Sequence, residues 1–216
     1  MSPKRIAPLS ALAFIVLNVL SGPVFGSGTN IPKLSSSGAT TTAFYVAHHS
    51  DQVISAILLA ISALFVVTFA LACRELIPSE SRMWPSLFVG GSLIAAAGDL
   101  VAAGNHIALA TAAHDHLSPA AIQALNAFDT SVPQLAFGIG FGIMLLGAAA
   151  TMIPLTGYLR RFGWIALPLG IACVGTLGEV IFPLVVLWML VLSVMLYRRG
   201  AAGGPGRVIE GAMATA

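Results

Sequence analysis

Long apolar runs bounded by charged or turn residues dominate this chain, and their length decides what they are. A bilayer core of about 30 Å is crossed by about 20 apolar residues at the helical rise, and six runs approach that size. The first covers residues 6–25, behind Lys4 and Arg5; the second covers 53–73 and the third 87–113. Ser118 and Pro119 then read as an N-cap followed by a proline in the first turn of a short helix, after which a fourth run covers 132–154. The stretch from Phe162 to Tyr197 lies between Arg160-Arg161 and Arg198-Arg199 and is almost twice as long as one crossing. Gly175, Gly178, Glu179 and Pro183 cluster near its middle, which predicts a hairpin of two short spans, 162–178 and 181–197. The expected fold class is all-α: a polytopic transmembrane helical bundle of six spans in a single domain over 1–199, followed by a flexible tail at 200–216.

Charge gives this bundle a direction. With the N-terminus inside, the cytoplasmic segments hold Lys4, Arg5, Arg74, Arg82, Arg160, Arg161, Arg198, Arg199 and Arg207, and Lys33 alone lies outside. That asymmetry follows the positive-inside rule and places both termini in the cytoplasm of a cell bounded by its plasma membrane. A rival reading of the first run is a cleaved signal peptide, with a basic start, a short apolar stretch and Val24-Phe25-Gly26 as a poor small-residue site. An uncleaved first span is the preferred expectation, with the Ser-, Thr- and Gly-rich segment 27–42 as an external loop.

Composition agrees with the lipid reading. Hydrophobic residues make up 57% of the 216 residues and charged residues 8%, where a soluble domain carries roughly a quarter charged. The net charge of +2 is dispersed along the chain and gives no nucleic-acid footprint. Two cysteines, Cys73 and Cys173, are too few for a disulfide framework and sit at different depths, so no pairing is expected.

In the C-terminal half, several short motifs stand in a distinctive order. They are Ser118-Pro119-Ala120-Ala121, the glycine-rich run from Phe137 to Gly147, Leu159-Arg160-Arg161-Phe162-Gly163-Trp164, and a hairpin ending Leu187-Trp188-Met189 and Tyr197-Arg198-Arg199. This layout, over roughly residues 50 to 199, resembles a family of small bacterial integral membrane proteins of unknown function, common in actinobacteria. Those proteins more often carry a proline where this chain has Arg161-Phe162. The resemblance implies a six-span plasma-membrane bundle and no activity.

The polar residues are the candidates for chemistry. All five histidines fall on or near the external side: His48 and His49 before the second span, and His106, His114 and His116 at the end of the third. Asp51, Asp115 and Asp129 share that side, and Glu179 joins them if the last hairpin turns near it. Continued back from the second span, a helix would align His48, Asp51, Gln52, Ser55 and Ser62 as one polar stripe. On the third span Asp99 lies two turns, about 10 Å, from His106 on the same face. An ionised aspartate at that depth costs ~2.5–3.5 kcal/mol, and the expected escape is protonation or a partner such as His106 or Asn105. The candidate ligand-binding set is therefore Asp99, Asn105, His106, Asp51, Gln52 and Glu179, around an outward-opening pocket.

Imidazole is a common metal ligand, and His48, His49, His106, His114 and His116 form a candidate metal set if three or more converge. The spacing matches no recognised ligand motif, and His114 and His116 at i and i+2 do not share a helix face. No cofactor is predicted outright; a metal, or a haem with axial ligands on opposite faces, is the alternative. Nucleophile-elbow, zinc-helix, redox Cys-x-x-Cys and phosphate-loop signatures are missing, so an intramembrane hydrolase ranks below both. Gly138 and Gly142 form a GxxxG pair, and Gly104, Ala108 and Ala112 a small-residue ridge. Packing inside the bundle is the preferred use of both; a membrane-protein partner or a second copy is the other. The expected function is a non-enzymatic membrane module with an external polar pocket for a small ligand or partner.

Overall fold

The computed structural model describes residues 6–25, 31–174 and 178–202, and every element among the described residues is helical. A 3-10 turn at Ala7–Leu9 opens α1 (Ser10–Val19), which widens into a π-helical turn over Leu20–Phe25. Pro23, which has no N–H to donate, falls in that widened turn. The short α2 (Gly38–Ala47) begins at Ser37, whose hydroxyl accepts from the Thr40 N–H. Five longer helices follow: α3 (His49–Leu76), α4 (Met83–His114), α5 (Pro119–Met152), α6 (Gly157–Val174) and α7 (Gly178–Ala202).

Among the described residues, four segments are long and apolar enough to cross a membrane: His49–Leu76, Met83–His114, Pro119–Met152 and Val180–Arg199. The helical segment Ala7–Gly22 is apolar but shorter, and α6 carries Arg160 and Arg161 in its opening turns. The outer surface is apolar around an apolar core that also encloses small polar side chains. Leu64, Leu135 and Val180 are 68%, 64% and 77% exposed, while Ser55, Ser62, Ser92 and Ser193 are fully buried. Outward apolar side chains suit lipid, and inward polar ones are the arrangement a membrane imposes.

Expectations about the spans change in their bounds. The short helix after Ser118 and the run from Val132 are one continuous helix, α5, with Ser118 capping the Ala121 N–H and Pro119 in the first turn. Pro133, which withholds an N–H from the Asp129 carbonyl, lies inside this helix rather than ending it. The final apolar stretch divides into α6 and α7, with other bounds than the expected 162–178 and 181–197: α6 begins at Gly157, and Glu179 and Pro183 lie inside α7 rather than at the division. Residues 175–177 and the tail from residue 203 lie outside the described residues.

The long helices run antiparallel to their neighbours. Glycine allows the closest approach, between α4 and α5: Gly91 lies against the Met144 backbone, Gly140 against Ala95 and Gly147 against Phe88. A Cβ on any of the three would collide with the facing chain. Gly138 and Gly142 face α6, toward the Cys173 and Gly170 carbonyls, so the GxxxG pair is used within the bundle. An aromatic cluster of Phe14, Phe137, Phe141 and Phe182, with ring centroids 4.6 to 5.8 Å apart, joins α1, α5 and α7. Trp188 on α7 donates its indole N–H to the Phe162 carbonyl of α6 at 3.1 Å, and Ser193 donates to the Pro8 carbonyl. Cys73 and Cys173 are buried and unbonded.

At about 1.5 Å per residue, α4 and α5 are roughly 48 and 51 Å long, well beyond a bilayer core of ~30 Å. Their outer ends, with α2, enclose a second small core of Tyr45, Leu109, Ala112, Ala113 and Ile122, separate from the main one. The antiparallel order puts Arg74, Arg82, Arg160, Arg161, Arg198 and Arg199 toward one end of the bundle. The described histidines lie toward the other, beside this cap.

Candidate functional site

Where the cap meets the main bundle, the first five helices converge on a cleft of about 190 Å³. Its walls are Asn18, Ser21 and Gly22 from the end of the first helical segment, Ile31, Tyr45 from α2, Gln52, Ser55 and Leu59 from α3, His106 from α4 and Asp129 from α5. Three of the α3 residues recur at three- and four-residue steps, Gln52, Ser55 and Leu59, which is why one helix face supplies them.

Asp129 organises the inner wall. Its Oδ1 accepts from the Asn105 amide at 2.9 Å, and its Oδ2 lies 3.3 Å from His106 Nε2. The same Asn105 amide group also donates to the Leu125 carbonyl. The other ring nitrogen of His106, Nδ1, lies 3.2 Å from Ser55 Oγ. The imidazole is thus held between α3 and α5, with both nitrogens engaged. Across the cleft, the Tyr45 hydroxyl donates to Asn126 Oδ1 at 2.7 Å, and the Asn126 amide donates to the Pro32 carbonyl. Burial, and secondarily the Asp129 charge, raise the Tyr45 pKa above its ordinary value. Gln52 differs from all of these: it is 3% exposed, it lines the cleft, and its carboxamide has no hydrogen-bond partner among the described residues.

Below this cleft Asp99 is 4% exposed, and its Oδ2 lies 3.1 Å from Ser62 Oγ. Neither Asn105 nor His106 is its partner; both turn instead to Asp129, because two helical turns separate His106 from Asp99. Asp51 is outside the cleft, partly exposed, with its Oδ2 3.3 Å from His48 Nδ1. His49 stacks obliquely on His114, with ring centroids 5.2 Å apart. His116 occupies the left-handed backbone region, φ 58°, in the turn that ends α4. The Glu179 side chain lies outside the described residues. The five histidines therefore divide into separate neighbourhoods, and among the described residues no three His, Cys, Asp or Glu side chains gather where they could hold a metal.

No family model, curated protein or solved structure matches this chain.

Of the polar wall residues, Asn18, Ser21, Tyr45, Ser55 and Asp129, with the supporting Asn126, were not in the candidate set drawn from the sequence, although Ser55 stood on its polar stripe and Asp129 on its external side. The signal for two of them was present in the three-residue step Gln123, Asn126, Asp129, a polar stripe that appears once α5 is extended back to Pro119. Tyr45 and Asn18 lie on elements whose meeting no local pattern announces.

Proposed function

We propose that this protein is a six-span plasma-membrane protein with cytoplasmic termini, and that it binds a small uncharged polar molecule in the outward cleft walled by Gln52, Ser55, His106 and Asp129. The observation that carries this reading is the Gln52 carboxamide, which opens onto the cleft from an otherwise buried residue and has no hydrogen-bond partner among the described residues. Gln52 is not among the residues whose polar side-chain atoms are buried without a partner, so a ligand in the cleft can make its hydrogen bonds in place of water. Each oxygen of the Asp129 carboxylate already has one partner, Asn105 or His106, and keeps a further acceptor site toward the cleft. Hydroxyl or amide groups match the remaining donors and acceptors of Gln52, Ser55 and Asn18. The volume, about 190 Å³, is below the ~300–1,000 Å³ of sites for drug-sized ligands and favours a small metabolite over a macrocycle.

The six-span reading is supported by α1, which buries Ala11 and Phe14 in the main core, and by the thirteen residues from Phe162 to Val174 of α6, which carry no charge.

The test is a thermal-shift screen of the detergent-purified protein against polyols, sugars, amides and neutral amino acids. At a concentration a hundred times its Kd, a ligand that binds only the folded state stabilises it by about 2.7 kcal/mol. The expected result is a shift by at least one compound that is lost in Gln52→Leu while that variant folds normally. A screen with no shift, or a shift unchanged in Gln52→Leu, would overturn the reading.

One observation favours the metal alternative: His49 and His114 are brought together from α3 and α4, one short of the three protein ligands of a catalytic zinc site. Elemental analysis of the purified protein decides it. Stoichiometric metal lost in His49→Ala would support that reading.

A further inference from the structure

Ser62 makes two polar contacts with a single hydrogen. Its Oγ lies 2.8 Å from the Leu59 carbonyl and 3.1 Å from Asp99 Oδ2. The carbonyl only accepts, and its contact is the shorter, so it takes the serine proton. An ionised carboxylate also only accepts; it would compete for the same hydrogen while buried in an apolar helix pair. A carboxylic acid resolves the count, because Asp99 Oδ2–H then donates to Ser62 Oγ and Ser62 donates to the Leu59 carbonyl. We propose that Asp99 and Ser62 form an intramembrane proton site, in which Asp99 is held as the neutral acid and exchanges its proton with the outward cleft.

The hydrogen-bond chain from Asp99 through Ser62 ends at the Leu59 carbonyl, an acceptor that passes no proton on. Leu59 is itself part of the cleft wall, so the proposed exchange runs through water that reaches the Asp99 carboxyl from the cleft. Seven residues outward along α3 and seven along α4, the same seam repeats a polar rung, Ser55 with His106. The two rungs are two turns, about 10 Å, apart. On the elements packed around this seam, the titratable groups toward the cleft are His106 on α4, Asp129 on α5 and Tyr45 on α2, with His48 and Asp51 at the outer end of α3. α1 contributes none over Ser10–Val19. Release moves one proton from the Asp99 carboxyl to a base in the cleft, water or the His106 imidazole, leaving a carboxylate; return reverses both changes. The site does not depend on what the cleft binds.

Infrared spectroscopy of the full-length protein in liposomes at neutral pH tests this directly. The expected spectrum contains a carboxylic-acid carbonyl band, resolved from carboxylate bands, that shifts when H2O is replaced by D2O and is absent in Asp99→Asn. That variant keeps the hydrogen-bond count, since an amide also donates to Ser62, and it is expected to fold with wild-type thermal stability. As a second readout, dicyclohexylcarbodiimide, which adds to protonated carboxyl groups in apolar surroundings, should label Asp99 in peptide mapping. Absence of the band in the wild type, its persistence in Asp99→Asn, or carbodiimide labelling that spares Asp99 while marking other carboxyls would overturn the proposal. A band that does not shift in D2O would overturn the exchange with the cleft.

Discussion

Tyr45 is a large side chain, fully buried, with one polar atom, and that atom decides its energetics. Its hydroxyl ends in Asn126, which in turn holds the Pro32 carbonyl, so a single phenol fixes α2, α5 and the segment before α2 together. Tyr45→Phe leaves the Asn126 oxygen without that donor and should cost about 1–3 kcal/mol, measured as a lower thermal midpoint in detergent. The same residue predicts a pH dependence. Burial and the Asp129 charge raise its folded pKa, while the unfolded phenol ionises near pH ~10. Its contribution to stability is therefore complete below about pH 10 and is lost as pH rises toward the folded pKa. Thermal midpoints measured from neutral to alkaline pH should fall more steeply for the wild type than for Tyr45→Phe; parallel curves would contradict this account.

Among the elements, α4 shows how a residue marked for chemistry can instead belong to a helix end. After α4 the Leu117 N–H reaches back to the Ala112 carbonyl at 3.0 Å and the His116 N–H to Ala113 at 3.3 Å, with His116 at φ 58°. This is the Schellman arrangement, whose left-handed position glycine fills most readily. His116→Gly should thus raise stability, by up to about 1–2 kcal/mol from relief of the left-handed strain, and leave the cleft unchanged. A destabilised His116→Gly would mean that the imidazole makes an interaction beyond the cap. The helix ends also show where sequence patterns were informative. Ser118-Pro119 marked the start of α5 correctly because capping is local chemistry. The join between that start and the run at Val132 was hidden, because Gln123, Asn126, Asp129 and Thr130 break the apolar run there. Those polar side chains are accommodated by the cap, where Asn126 is 1% exposed, and only the assembled structure shows them as an inner face.

At the scale of the whole molecule, the all-helical class and the long apolar helices follow from composition and run length, which predict six spans where four helices among the described residues are long and apolar enough to cross a membrane. The cleft does not. It needs residues from the first segment, α2, α3, α4 and α5, whose positions are set by packing between elements far apart in sequence. Gln52 and His106 were readable as polar residues on a helix face; Ser62 as the partner of Asp99 was not, since both helices must first dock in one register. The proposed topology is checked by single cysteines in a background lacking Cys73 and Cys173. Cysteines at Ser36 and Ala120 should react with an impermeant thiol reagent on intact cells, and one at Ser79 should not. The reverse labelling pattern would invert the orientation.

The contact from Ser193 to the Pro8 carbonyl joins positions 185 residues apart, and it has a consequence for how the protein is made. Translation delivers the first helix to the membrane long before α7 exists, yet Ser193 and the Phe182 ring, which cover Pro8 and the aromatic cluster around Phe14, arrive with the last helix. Until then the first helix rests against a bundle that lacks one wall. Closure therefore waits for α7, and a chain stopped before α7 would present that uncovered aromatic seam to lipid and to membrane quality-control proteases.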